Sequence, residues 1–219
     1  MIDRSWLNYL SPFSEVKPFG GGADVIVAQS FGRNAFPDEG LRQRIVTIRE
    51  LYSRDEEMFR VFKGMGFDPG KPNISLAWEC SNLSQKFGIK KFVIQWEVAF
   101  AIWSINRQFY YFMKTRNSLL IIWPDSPYLS SKDMIDEAVD WISDNDLKRV
   151  AFVCHRGMAP RIELMLRKAL GKEREVVCLD GQPTDMFDSG SVQKWTTNRA
   201  RWFIREFFVR IHHLFKGWV

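Results

Sequence analysis

Cysteine is scarce and scattered: Cys80, Cys154 and Cys178 form neither a CxxC pair nor a Cys/His cluster of zinc-binding type. An odd number of distant thiols fits a reducing, cytoplasmic setting without a structural metal. Long apolar runs are missing too. The opening MIDRSWLNYLSPFSEVKPFGGG holds no stretch suited to a secretory signal, and nowhere do about 18 apolar residues follow one another, so no membrane span is expected. Neither GxGxxG nor GxxxxGK[ST] occurs, which removes the dinucleotide fingerprint and the Walker phosphate loop. Helix-turn-helix, zinc-finger and RNP-type motifs are absent, and basic residues are interspersed with acids, so nucleic acid ranks last among partner classes.

What is present is enough for one well-buried core. The 219 residues are 46% hydrophobic and 26% charged, a size that suggests one domain rather than two. Residues 1–22, with Pro12, Pro18 and the Gly20-Gly21-Gly22 run, read as an N-terminal arm ending in a hinge, and residues 23–219 as the domain. A formal net charge of +5 keeps anionic small molecules and anionic lipid surfaces admissible. The aromatic share of 15% is high and gathers on segments of helical spacing, which assigns much of it to the core.

Short β-branched runs alternate with helical patterns along the whole domain. Strands are expected at 23–28, 91–95, 119–123, 149–153 and 175–179. Helices are expected at 38–52, 54–63, 75–87, 98–114, 130–143, 158–170 and 191–215, with Pro69-Gly70-Lys71-Pro72 as a loop. Such alternation predicts a Rossmann-like three-layer α/β/α sandwich on a mainly parallel sheet of about five strands, with ligands at the strands' carboxyl ends.

Five loops therefore hold the candidate chemistry. After strand one, Gln29, Ser30, Gly32, Arg33 and Asn34 offer a glycine for close backbone approach and an arginine ahead of a helix start, which suits a phosphate or carboxylate; an ordinary βα turn would look the same. Gln95 and Glu97, flanking Trp96 after strand two, can fix a ribose or amino group while the indole stacks on a ring. In the loop after strand three, Asp125, Ser126, Ser130 and Ser131 lie at or before the start of the helix at 130–143, where capping alone explains much of the pattern. The segment Cys154-His155-Arg156-Gly157-Met158-Ala159-Pro160-Arg161 is the densest cluster of reactive types. There Cys154 ends a buried strand and reads as core, Arg156 as solvent-facing, His155 as acid or base, and Arg161 as an anion clamp.

Taken together, Ala23-Asp-Val-Ile-Val-Ala28, Ser131-Lys-Asp-Met-Ile-Asp-Glu-Ala138 and Val153-Cys-His-Arg-Gly-Met-Ala-Pro-Arg161 resemble, in order and spacing, the YdcF-like domain family of bacteria, with its SanA and ElyC types. In that resemblance Ser131 takes the family serine, Asp136 the acidic position, Arg161 the arginine and Arg205-Glu206 the late Arg-Glu pair. Departures mark a divergent member: Met134 stands for a threonine, Glu137 for an asparagine, Met158 for the family histidine with His155 three positions earlier, and Gln95-Trp96-Glu97 for a Ser-Gly-Gly turn. The resemblance implies a Rossmann-like fold, binding of S-adenosylmethionine or a related nucleotide, and a link to cell-envelope processes.

Two functions of different class follow. One is binding, with or without catalysis, of an anionic or nucleotide-like small molecule by Gln29, Ser30, Gly32, Arg33, Gln95, Glu97, Ser131, Asp136 and Arg161, with His155 as the catalytic group. The other is a noncatalytic interaction module. In that reading the last helix, where Trp195, Trp202, Phe203, Phe207 and Phe208 interleave with Arg199, Arg201, Arg205 and Arg210, docks a membrane surface or a partner protein. A sheet-covering helix with a solvated basic rim has the same sequence pattern.

Overall fold

In a computed structural model of the chain, Tyr9 and residues 21–32, 54–115, 118–124, 129–177, 187–191 and 193–219 are described. The β-branched runs form five strands: β1 (Val25–Ala28), β2 (Lys91–Gln95), β3 (Leu119–Ile122), β4 (Arg149–Val153) and β5 (Glu175–Val177). All pair in parallel, in the order β3-β2-β1-β4-β5. Every residue of β1 is buried, as a central parallel strand covered on both faces must be.

Between the strands lie α1 (Asp55–Gly64), α2 (Lys71–Phe87), α3 (Trp96–Ile105), α4 (Arg107–Lys114), α5 (Ser131–Asp144) and α6 (Ala159–Leu170), and α7 (Arg199–Phe215) follows the sheet. The chain builds outward from β1 to β3, then returns to the other side of β1. Right-handed crossovers therefore put the helices before and after that reversal on opposite faces. Accordingly α2 packs on α3, and α5 on α6. The expected Rossmann-like α/β/α fold is what forms.

Three helix boundaries differ from the sequence expectation, each for a local reason. Pro72 stands in the first turn of α2, where its missing N–H costs nothing, so the helix starts at Lys71 and not near residue 75. The expected helix 98–114 is two helices: at Asn106 the backbone leaves helical geometry (φ −143°, ψ 74°) and the side chain accepts from the Phe109 N–H, capping α4. The last helix starts at Arg199 rather than 191, capped by Asn198, whose side chain accepts from the Arg201 N–H; a short 3₁₀ turn, Lys194–Thr196, precedes it. The helix expected at 38–52, most of the N-terminal arm, and Cys178 and Leu179 at the end of the expected fifth strand lie outside the described residues.

Most of the aromatic excess is core. Phe59, Phe62, Phe67, Trp96, Phe100, Trp103 and Trp123 form one buried cluster beside the sheet, with Trp96 stacked on Trp123 at 5.8 Å and on Phe67 at 5.1 Å. Among the described residues, no helix is long and apolar enough to cross a membrane.

Candidate functional site

Because the strand order reverses at β1, the connections leaving β1 and β4 diverge, and a crevice opens at their carboxyl ends. Gln29 directly follows β1, and its N–H still bonds to the Val153 carbonyl of β4 at 2.9 Å. Its side chain then crosses the crevice to the other layer: Nε2 donates to Ser131 Oγ, the first residue of α5, at 2.6 Å. Ser130 caps that helix, accepting from the Asp133 N–H while Asp133 accepts from the Ser130 N–H. One step further along the β1 loop, the Ser30 N–H donates to Gln95 Oε1 at 3.1 Å, which joins the ends of β1 and β2.

The next turn of the loop is fixed by a residue with no conspicuous sequence signal. Asn73, fully buried on α2, accepts from the Phe31 N–H at 2.9 Å and donates to the carbonyls of Gly32 and Pro69 at 2.6 and 2.7 Å. Gly32 adopts φ +65°, and a Cβ there would lie 2.6 Å from Thr196 Oγ1 and 3.1 Å from Ser191 Oγ. Its glycine thus lets Ser191 and Thr196 pack over the β1 loop, a packing requirement in addition to any ligand approach.

Facing these groups, α7 presents an unusual inner side. Trp202, Glu206, Arg210 and His213 are its buried residues, so two of the four residues in its core-facing stripe are charged. Glu206 accepts from Arg161 Nε at 2.8 Å and from Arg210 Nε at 3.1 Å, and Arg210 Nη2 reaches the Gly157 carbonyl at 2.8 Å. All three side chains are buried. Burial alone would push the Glu206 carboxyl up, but Arg161, and then Arg210, outweigh it and hold it below the ordinary carboxylate range. For Arg161 burial would lower the value, yet Glu206 raises it, so the guanidinium stays charged. With two guanidiniums against one carboxylate, the cluster carries one net positive charge beneath the site.

Between the β1 loop, the start of α5 and α7 lies a cavity of about 450 Å³. Gln29, Ser30, Gly32, Gln95, Ser131 and Arg161 line it, so the structure gathers six of the candidate residues around one space. Trp195, Arg205 and His213 complete the opposite wall, and Arg205 lies over the Trp195 ring at 4.5 Å. Among the described residues, Gln29 Oε1 and His213 Nδ1 are buried side-chain atoms without a hydrogen-bond partner, each on a residue that lines this cavity. Burial, and then the field of Arg161, lower the His213 pKa to about 4, so its ring is neutral at pH 7.

Other candidates fall elsewhere. Glu97 is buried in the first turn of α3 and is not among the cavity's lining residues, because β2 runs into α3 with no loop between them. Trp96, expected to stack on a ligand ring, instead belongs to the aromatic core. Asp136 lies one turn along α5, paired with Lys132 and lining a neighbouring depression. His155 is 1% exposed and lies behind the cavity wall: its ring stacks on Phe31 at 3.7 Å, meets Phe187 edge-on, lies tilted against Trp202, and accepts from the Gly157 N–H through Nδ1. The acid or base role expected for His155 finds no support in that placement. Cys154 is fully buried and Arg156 is exposed. Arg33 and Asn34 lie outside the described residues, as do Asp125 and Ser126.

The sequence reading missed Asn73, Arg210, His213 and Thr196 as site-building residues, and Arg205 and Glu206 entered it only as the late Arg-Glu pair of the family resemblance. Only Glu206 and Arg210, four apart on a helix, carried a signal that could have shown an ion pair. Compared with known proteins, the chain matches no protein-family model, no curated protein and no solved structure.

Proposed function

We propose that the chain binds an anionic or nucleotide-like small molecule in the cavity at the β1/β4 reversal. The observation that carries this reading is the Gln29 amide. One end is bonded to Ser131, while the other is buried at a cavity wall without a partner. Turning the amide over would only exchange which end is left, so a polar atom waits there in either orientation. An unmatched buried polar atom costs about 1–3 kcal/mol, which a ligand N–H or O–H would recover. A ribose hydroxyl or an exocyclic amino group has that chemistry.

Charge supports the anionic part. Arg161, with its net positive cluster, and Arg205 both line the cavity. A volume of about 450 Å³ lies within the roughly 300–1,000 Å³ of small-molecule sites. The Trp195 ring, already engaged by Arg205, gives the mouth a flat aromatic wall.

Under the family resemblance the ligand is S-adenosylmethionine or a related nucleotide, and the chain is a divergent YdcF-like protein with a role in cell-envelope processes. The residues fit such a molecule in its polar parts: Gln29 for the ribose or adenine, Arg205 for the amino-acid carboxylate. When bound, the sulfonium would supply a transferable methyl group. The cavity's own residues offer binding and orientation.

A thermal-shift screen tests this reading. S-adenosylmethionine, S-adenosylhomocysteine, nucleoside phosphates and sugar nucleotides are compared on the native chain and on Gln29→Leu, since a ligand selective for the folded state raises its melting temperature. The expected result is a shift with one chemical class that shrinks in the variant. Absence of a shift with every compound would overturn the proposal.

A further inference from the structure

The outer face of α7 is as unusual as its inner one. A helix at the surface of a domain ordinarily turns its apolar residues inward. Here the inward stripe is Trp202, Glu206, Arg210 and His213, while Ile204, Phe208 and Phe215 point away from it at 60%, 63% and 88% exposure. Spacings of four and seven put these three on one line along the helix, opposite the buried charges. Of the eight large hydrophobic residues exposed among the described residues, four are on α7, Phe207 being the fourth, whereas the others are scattered over α2, α4 and α6. An apolar line of this kind marks a contact surface rather than ordinary surface texture.

The charges around that line have one sign. Between Arg199 and Lys216 the only acid is Glu206, which is fully buried and paired with two arginines. Arg201 and Lys216 are exposed, and on a helical projection both fall on one flank of the apolar line. A partner therefore meets aromatic and aliphatic side chains beside uncompensated positive charge. An anionic bilayer matches both: acyl chains take the apolar line, headgroups take the basic flank, and a helix with this layout lies in the interfacial plane.

We infer that α7 is a membrane-docking helix, which seats the protein on anionic lipid through Ile204, Phe208 and Phe215. The surface borders the cavity, since Phe208 lines both, whereas Ile204 and Phe215 do not line the cavity, so a variant at those two leaves its lining unchanged.

The test is co-sedimentation of the full chain with vesicles of phosphatidylcholine alone, or with phosphatidylglycerol admixed, at low and at high salt. Two variants accompany it: Ile204→Ser/Phe215→Ser, which removes apolar contact, and Arg201→Glu, which reverses one charge at an exposed position in the first turn of α7. Each alters exposed side chains, and an unchanged melting temperature verifies that the fold is kept. The expected result is binding to the anionic vesicles only, release by salt, and a loss of affinity of about tenfold or more in the double-serine variant. Either equal binding to neutral vesicles or undiminished binding of both variants would overturn the inference. So would a concentration-dependent dimer that Ile204→Ser/Phe215→Ser abolishes, since the face would then belong to a second copy.

Discussion

Replacing Glu206 by Gln keeps the shape of the side chain and removes its charge, which leaves Arg161 and Arg210 facing each other across one amide with both side chains buried. Breaking a buried ion pair by removing one partner costs about 3–5 kcal/mol, because the remaining charge has lost its compensation. Here one carboxylate serves two cations, so the upper part of that range applies. For a chain of this size about 1 kcal/mol moves the melting temperature by roughly 2–4 °C, which gives an expected drop of about 10–20 °C. Circular dichroism melts at pH 7 measure it. Acid does the same to the native chain: Glu206 is held below the ordinary carboxylate range, so its contribution is present above that range and is lost as pH falls through its folded value. The simultaneous replacement Arg161→Met/Glu206→Leu/Arg210→Met removes all three charges and should melt closer to the native chain than Glu206→Gln does. A Glu206→Gln variant that melts within about 3 °C of the native chain would refute the reasoning.

Two further outcomes follow from the same region. A Cβ on Gly157 would lie 2.3 Å from the Trp202 ring, so Gly157→Ala should lower stability by about 1–3 kcal/mol in urea unfolding, and Gly157→Ala/Trp202→Leu should show a smaller additional loss than Trp202→Leu alone would suggest. His213 titrates well below the ordinary histidine value, so the unfolded chain takes up its proton first as pH falls. Stability should therefore decline from about pH 6.5 towards about 4, and His213→Asn should flatten that limb, with Arg161, Glu206, His212 and Arg205 as the charged neighbours that set it.

The sheet was legible because each strand is a short β-branched run between polar breaks, and a parallel order follows once such runs alternate with helices. Local capping was harder to read. Asn106 interrupts an aromatic run whose spacing is helical on both sides, and only the geometry shows its side chain capping a new helix that starts at Arg107. The pocket was half legible: residues just past β1 and β4 are placed by topology, so Gln29, Ser30 and Arg161 could be named from position alone. What a sequence could not supply was orientation. His155 stands two residues past β4, yet it turns behind Phe31, while Arg161, in the first turn of α6, reaches the cavity.

α7 shows the same limit at larger scale. Read by hydrophobicity, its Phe and Ile residues belong inside and its arginines in a solvated rim. The structure places Arg210 fully inside, bonded to Glu206 and the Gly157 carbonyl, and Phe208 outside. Hydrophobic periodicity finds the helix but not its rotation when a buried ion cluster, assembled across 45 residues between Arg161 and Glu206, decides which face turns inward.

The most direct test of the cavity as a binding site is a calorimetric titration of the compound with the largest thermal shift into the native chain and into Gln29→Leu. Saturable binding to the native chain, weakened about tenfold or more when the Gln29 amide is gone, is the predicted result. Equal affinity for both proteins would contradict the account, because the ligand would then be bound somewhere that the Gln29 amide does not reach.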